Sequence, residues 1–253
     1  MILDVRDISK KFGGLQALHG VSFSVRKGDI HAVIGPNGAG KTTMLNIISG
    51  VELPDMGALF FKGEAVNGTS PEKRARKGLS RTFQHIEIFN EMTVIENIMV
   101  GRYLRTRRGF FRSGLMLPWM RREEGAIYEK SCEILDYINL SLRRDELAKN
   151  LPVGEQRLLE IGRALATEPE LLLLDEPAAG LNIRETKRLG DLIERIRSEK
   201  GITILIVEHD MELVMRISDR ITVLNFGQVI AEGTPLEIQK DPHVIAAYLG
   251  EDE

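Results

Sequence analysis

The sequence predicts an α/β fold: a largely parallel sheet buried on both faces, a β-rich lobe at its edge and an inserted helical lobe. Three observations carry this expectation. Uninterrupted apolar runs at residues 171–174 and 202–207 are separated by an amphipathic helical pattern over 184–199, as in parallel strands covered on both sides. The glycine-rich run Gly35-Pro36-Asn37-Gly38-Ala39-Gly40-Lys41-Thr42 follows another apolar run, residues 30–34, and leads into a helical pattern marked by Met44, Leu45, Ile47 and Ile48. The first third of the chain alternates short strands with glycine-bearing turns.

Taken in order, strands are expected over residues 2–8, 21–25, 30–34 and 58–62. The middle reads as helix, because residues 93–103 and 126–138 carry apolar side chains at three- and four-residue spacing. A helix over 155–167, with Leu158, Ile161 and Leu165 inward, precedes the strand at 171–174. A hairpin, 221–224 against 229–231, and two short helices follow the strand at 202–207. These changes of pattern set a first part of the core at 1–85, a helical subdomain at 86–150 and a second part of the core at 151–253.

Composition narrows the function. A chain of 253 residues suffices for one large domain or two intimate ones. A net charge of −3 argues against a nucleic-acid binder that works through a global basic surface. Cys132 stands alone, so no disulfide framework or cysteine-built metal site is expected, and the five histidines show no zinc spacing. The opening residues read as a strand without the charged-then-apolar pattern of an export signal. No apolar run approaches the roughly 20 residues needed to cross a bilayer, so a membrane role must come through a partner.

The chemistry is carried by residues at the ends of the expected strands. Glycines in the 35–42 run let successive backbone N–H groups converge on one anion, and the helix after it adds the positive end of its dipole. Lys41 supplies a point charge for outer phosphates and Thr42 a hydroxyl for their magnesium ion. The apolar strand at 171–174 ends in Asp175, expected to hold the metal through water, and Glu176, placed as general base for an attacking water. The competing reading is a strand that ends in a solvated acidic turn. His209 closes the next apolar strand, which in a parallel sheet would neighbour the first, and is placed to bridge the γ-phosphate and the water. Gln84, at the junction of core and helical lobe, carries an amide able to reach metal or water when the lobes close. The adjacent His85 is read as structural.

Together with Leu151-Pro152-Val153-Gly154-Glu155-Gln156-Arg157, these segments resemble the ATP-binding-cassette (ABC) ATPases, over essentially the whole chain. The resemblance rests on an order: phosphate loop, glutamine loop, signature loop, Asp-Glu strand, the short loop Ala179-Gly180-Leu181-Asn182, then the switch histidine. It implies a P-loop NTPase core that binds ATP and Mg2+. Gly35, Pro36, Asn37, Gly38, Ala39, Gly40, Lys41, Thr42 and Thr43 would surround the phosphates, with Thr42, Gln84 and Asp175 at the metal. It further implies a nucleotide sandwich of two subunits, in which Gly154 meets the ATP of the facing subunit. Phe12 resembles the family's adenine-stacking aromatic; the alternative is a core phenylalanine of the β-lobe.

The chain departs from the family pattern. Pro152 and Val153 replace the serine and first glycine of the usual Leu-Ser-Gly-Gly-Gln, and Glu155 its glutamine, leaving the Gly154 N–H and the helix dipole for the γ-phosphate. Asn182 replaces the usual aspartate and Ala179 the usual serine. Four segments are similar to the larger ATPase of branched-chain amino-acid importers: Arg81 to His85, Met92 to Asn97, Asp175 to Asn182, and Ala247-Tyr248-Leu249-Gly250. This subgroup implies a second ATPase subunit, two integral membrane permease subunits and, indirectly, a periplasmic or extracellular solute-binding protein. Its place is the cytoplasmic face of the inner membrane. The alternatives are urea or amide uptake, lipopolysaccharide export, a soluble assembly factor such as the ATPase of iron–sulfur scaffold complexes, or a module that holds ATP without turnover.

Residues 102–122 hold seven arginines interleaved with Phe110, Phe111, Leu115, Met116, Leu117 and Trp119, the one tryptophan. This mixture suits lipid headgroups or a groove of a membrane subunit; the plainer reading is a helical hairpin with a packed apolar side and a solvated basic side. Nucleic acid is the least favoured partner, since one basic cluster lies on a mildly acidic protein. If the segment docks near the membrane, deleting residues 105–119 weakens copurification with membrane subunits and leaves ATP binding intact.

Overall fold

Alternation along the apolar strands decides the architecture. In strands β3 (Ile30–Ile34), β7 (Leu171–Asp175), β8 (Thr203–Val207) and β9 (Arg220–Asn225), Ile30, Ala32, Ile34, Leu172, Leu174, Ile204, Ile206, Ile221 and Val223 feed one hydrophobic cluster. The residues between them, Val33, Leu171, Leu173, Leu205, Val207 and Leu224, feed another. Side chains of period two therefore bury both faces of one sheet. The computed structural model describes residues 1–103 and 118–249.

That six-stranded sheet runs β10-β9-β3-β8-β7-β6, with β6 at Leu79–Arg81 and β10 at Gln228–Gly233. All its pairings are parallel except β9 with β10. A four-stranded antiparallel sheet, β2-β1-β4-β5, is built from β1 (Leu3–Phe12), β2 (Leu15–Val25), β4 (Met56–Phe61) and β5 (Glu64–Ala65). It packs with helix α1 (Lys41–Ser49) on one face of the larger sheet. The other face carries α3 (Val94–Tyr103), α4 (Pro118–Tyr137), α5 (Val153–Ala166), α6 (Ile183–Lys200), α7 (Met211–Ile217) and α8 (Pro235–Ile238). A short α2 (Pro71–Arg76) and a last helix α9 (Pro242–Leu249) complete the described chain.

Several elements depart from the sequence expectation. Strand β2 begins at Leu15, six residues before the expected 21, because its first residues pair with the end of β1 through register shifts and stay largely exposed, so they show no alternation. Helix α4 begins at Pro118 rather than at 126; the turns before 126 are rich in Arg and Glu and have no apolar period. On α5 the fully buried leucine is Leu159, while Leu158 is half-buried. Strand β6 and helix α2 were not expected at all. The docking segment lies outside the described residues over 104–117, as does Gly250 of the C-terminal motif.

Arg74, on α2, shows how the core holds helix α1. The side chain is fully buried, and its guanidinium donates to the carbonyl oxygens of Ile47 and Ile48, at the C-terminal end of α1, and of Val66, Asn67 and Thr69. It therefore satisfies helix-end carbonyls that α1 cannot satisfy itself. Burial pulls its pKa down to about 10, still far above neutrality. Arg74→Met strands those buried oxygens, and urea unfolding should show a loss of roughly 3 kcal/mol.

Candidate functional site

The site forms where the parallel strands end. Asp175 pairs with Val207 across β7 and β8, so the residues that follow each strand emerge side by side. Strand β8 also pairs with β3, which leads into the glycine-rich loop. Loop, Asp-Glu pair and His209 thus share one edge of the sheet, the crevice beyond the carboxyl ends of its strands.

The loop is a tight cradle. Gly35 has φ 148°, and a Cβ there would lie 2.0 Å from the Leu224 carbonyl oxygen. Gly40 has φ 100°, and a Cβ there would lie 2.6 Å from the Ala17 carbonyl oxygen. Gly38 has φ 77° with open space beside it. Only glycine satisfies the first two positions on both counts. Helix α1 starts at Lys41. The Lys41 ammonium donates to the carbonyl oxygens of Gly35, at 2.6 Å, and Pro36, at 2.8 Å, spanning the loop. Thr42, exposed, and Thr43, half-buried, stand in the first turn of α1, with Asn37 exposed and Pro36 and Ala39 buried in the loop.

Gln84, Glu176 and His209 converge on a single oxygen. The Gln84 amide donates to Glu176 Oε2 at 3.1 Å, and His209 Nδ1 lies 3.8 Å from the same atom. Glu176 sits in the left-handed region, φ 45°, anchored by its N–H to the Val207 carbonyl oxygen. Such a conformation costs a β-carbon-bearing residue on the order of 1–2 kcal/mol, and here it turns the carboxylate out of the sheet. The Glu176 side chain is 17% exposed and that of His209 64% exposed, so the cluster opens outward. His85 is exposed.

Asp175 lies beneath this cluster and is buried. Burial raises its pKa, opposed by the Arg81 guanidinium, whose Nη2 donates to Oδ2 at 2.9 Å. Oδ1 is buried and has no hydrogen-bond partner among the described residues. An unpartnered buried carboxylate oxygen at the foot of a glycine-rich cradle fits a divalent cation with its water shell, and the oxygen donor set is the one magnesium prefers.

The remaining expected residues are more peripheral. Phe12 ends β1 and is 45% exposed, so it is no core phenylalanine; the Lys10 ammonium lies 5.2 Å from its ring centre. Gly154 sits in the first turn of α5, behind Pro152 at the N-cap, and a Cβ there would meet Glu185 Oε1 at 2.9 Å. Asn182 caps α6: its side chain accepts from the Arg184 and Glu185 N–H groups while Glu185 accepts from the Asn182 N–H. The amide oxygen thus fulfils the capping role open to an aspartate.

Four buried charged residues around the site escaped the sequence reading. Arg157, on α5, donates to the carbonyl oxygens of Phe83 at 3.0 Å and Gln84 at 2.6 Å, and Glu160 accepts from the Phe83 N–H at 3.1 Å. Glu208 accepts from the Ala178, His209 and Asp210 N–H groups, joining the loop after Glu176 to the loop that bears His209. Arg81 is the fourth. Three had a weak signal: Arg157 and Glu160 interrupt a helix face that also bears Ile161, and Glu208 follows an otherwise apolar strand.

A family model described as ABC transporter matches residues 18–179, and one described as Branched-chain amino acid ATP-binding cassette transporter matches residues 228–253. The chain is 46% identical over 250 residues to the high-affinity branched-chain amino acid transport ATP-binding protein LivG of Salmonella typhimurium, covering 99% of this chain and 98% of that protein. It resembles the crystal structure of the ADP conformation of MJ1267, an ATP-binding cassette of an ABC transporter, with TM-score 0.85 and 37% identity over 98% of both chains. The dimeric structure of MJ0796, a bacterial ABC transporter cassette, matches with TM-score 0.76 and 25% identity over 92% of this chain and 98% of that one.

Burial raises the pKa of Glu208 above the ordinary carboxylate value, despite the three N–H groups it accepts. Above the unfolded-state value the folded protein then binds more of this proton than the unfolded chain does, and stability falls as pH rises until the raised folded value is passed. Relative to Glu208→Gln, wild-type stability in urea should decline as pH climbs from the ordinary carboxylate range toward neutrality.

Proposed function

The chain belongs to the ABC transporter family, and on that premise we propose that it is the ATP-hydrolysing subunit of an importer for branched-chain amino acids. The observation that carries the reading is the convergence of Gln84, Glu176 and His209 on one carboxylate oxygen at the edge of the phosphate cradle. Magnesium, when bound, would supply charge neutralisation on the outer phosphates. Thr42, Gln84 and the open oxygen of Asp175 are the groups to hold it.

Glu176 takes a proton from the attacking water, and His209 and Gln84 keep its carboxylate aimed. The glycine-cradle N–H groups and Lys41 bind phosphate oxygens, with Lys41 trading two carbonyl partners for them. Phe12, exposed at the end of β1, offers a face for the adenine ring. Gly154, at the start of α5, presents a helix N-terminus to the nucleotide of a facing ATPase subunit, identical or different. That arrangement makes closure depend on nucleotide. A cavity of about 800 Å3 beside the Gln84 segment, lined in part by Phe83, Ile88, Phe89, Glu160 and Arg163, is open to a segment of a membrane permease subunit. Among the described residues no helix is long and apolar enough to cross a membrane, so the permease subunits supply the path and a solute-binding protein delivers the amino acid to it.

The test uses the complex reconstituted in proteoliposomes with its permease and binding protein. Wild type should hydrolyse ATP and take up leucine, isoleucine or valine. Glu176→Gln should still bind ATP while hydrolysis and uptake fall at least about 100-fold. Equal hydrolysis by the two forms overturns the base assignment, and hydrolysis without uptake of these amino acids overturns the substrate.

A further inference from the structure

Arg81 stands three residues before Gln84, on β6, and its guanidinium is held through both terminal nitrogens, while its buried Nε has no partner among the described residues. Nη2 donates to Asp175 Oδ2 at 2.9 Å; Nη1 donates to Asn46 Oδ1 at 2.7 Å and to Ser49 Oγ at 2.9 Å. The guanidinium carbon lies 5.1 Å from the centre of the Phe83 ring. The ion pair is sealed, with side-chain exposures of 6% for Arg81 and 2% for Asp175. One strip of sequence thus touches the Asp-Glu strand, the phosphate-loop helix and the glutamine segment.

The arrangement divides the labour of the Asp175 carboxylate. One oxygen is taken by a charged, directional donor, the strongest class of hydrogen bond available to it. The other, Oδ1, is buried and unpartnered among the described residues. A carboxylate has one free torsion about its bond to Cβ, so fixing one oxygen fixes the direction of the other. Asn46 and Ser49 lie four and seven residues after Thr42, along one face of α1. The same guanidinium therefore sets how far Asp175 stands from the helix that bears Thr42.

We propose that Arg81 is a positioning residue for the metal site: it orients Asp175 and locks it to α1, so that Asp175 and Thr42 stand at the spacing magnesium requires. The inference rests on the nucleotide and metal reading above and goes beyond it by adding a residue that touches neither. Lysine cannot replace this function fully, because a single ammonium lacks the planar fork that engages Asp175 on one nitrogen and α1 on another. Groups that orient a metal-binding carboxylate typically alter metal affinity 10–100-fold when removed.

The experiment measures ATP affinity by calorimetric titration, with magnesium and with chelator, for the full-length protein. In wild type magnesium should tighten ATP binding. In Arg81→Met the tightening should shrink by about tenfold, while affinity for metal-free ATP stays at the wild-type value. Arg81→Lys should recover part of the tightening. Asn46→Ala, which removes one anchor and leaves the ion pair, should lose less than Arg81→Met in the same direction. If Arg81→Met does not fold, as judged by circular dichroism, the lysine and Asn46 variants decide. Full magnesium tightening in the folded variants overturns the inference, as does an equal loss of affinity with and without metal. A wild-type protein whose ATP binding ignores magnesium overturns instead the reading of the site on which the inference rests.

Discussion

Parallel pairing of β7 with β8, with Asp175 opposite Val207, governs the rest of the structure. Because the strands run the same way and end level, Glu176 and His209 leave the sheet as neighbours, and the loop after β3 rises beside them. A shift of this register by one residue would turn the leucines of β7 to the wrong faces and carry Asp175 away from Arg81. Hydrophobic burial that fixes the register thereby fixes the chemistry. The functional groups need no separate scaffold, since the core that stabilises the fold also measures their spacing.

Around that frame, buried charged side chains do work that secondary structure cannot. Arg74 satisfies carbonyls at the end of α1, Arg157 and Glu160 grip the backbone at Phe83 and Gln84, and Glu208 gathers three N–H groups from two loops. Each turns irregular backbone, which cannot pair in a ladder, into a fixed shape. Burying charge in this way adds little net stability, but leaving one partner alone in the core is costly. The gain is one conformation for the segments that bear Gln84, Glu176 and His209.

Much of this was legible in the sequence where a local pattern carries the structure. The glycine loop between strand and helix, the leucine run ending in Asp175-Glu176, and the apolar strand before His209 each declare themselves within a dozen residues. Their adjacency followed from one rule, that buried apolar strands joined by helices run parallel. The illegible parts lack such patterns. Strand β6 is three residues long and exists by pairing with β7, and the first residues of β2 are exposed and irregular. Arg81 meets Asp175 from 94 positions away, and no spacing in the sequence announces that contact. Segment existence is a local property; who touches whom at its end is not.

The grip of Arg157 on the glutamine segment has a mechanical consequence. Its fork holds the Phe83 and Gln84 carbonyls from α5, while the Gln84 side chain donates to the Glu176 carboxylate. Helix α5 and the Glu176 carboxylate are thus joined through hydrogen bonds to a single short segment. A tilt of α5 would carry the Phe83 and Gln84 backbone with it, and with that backbone the amide that donates to Glu176.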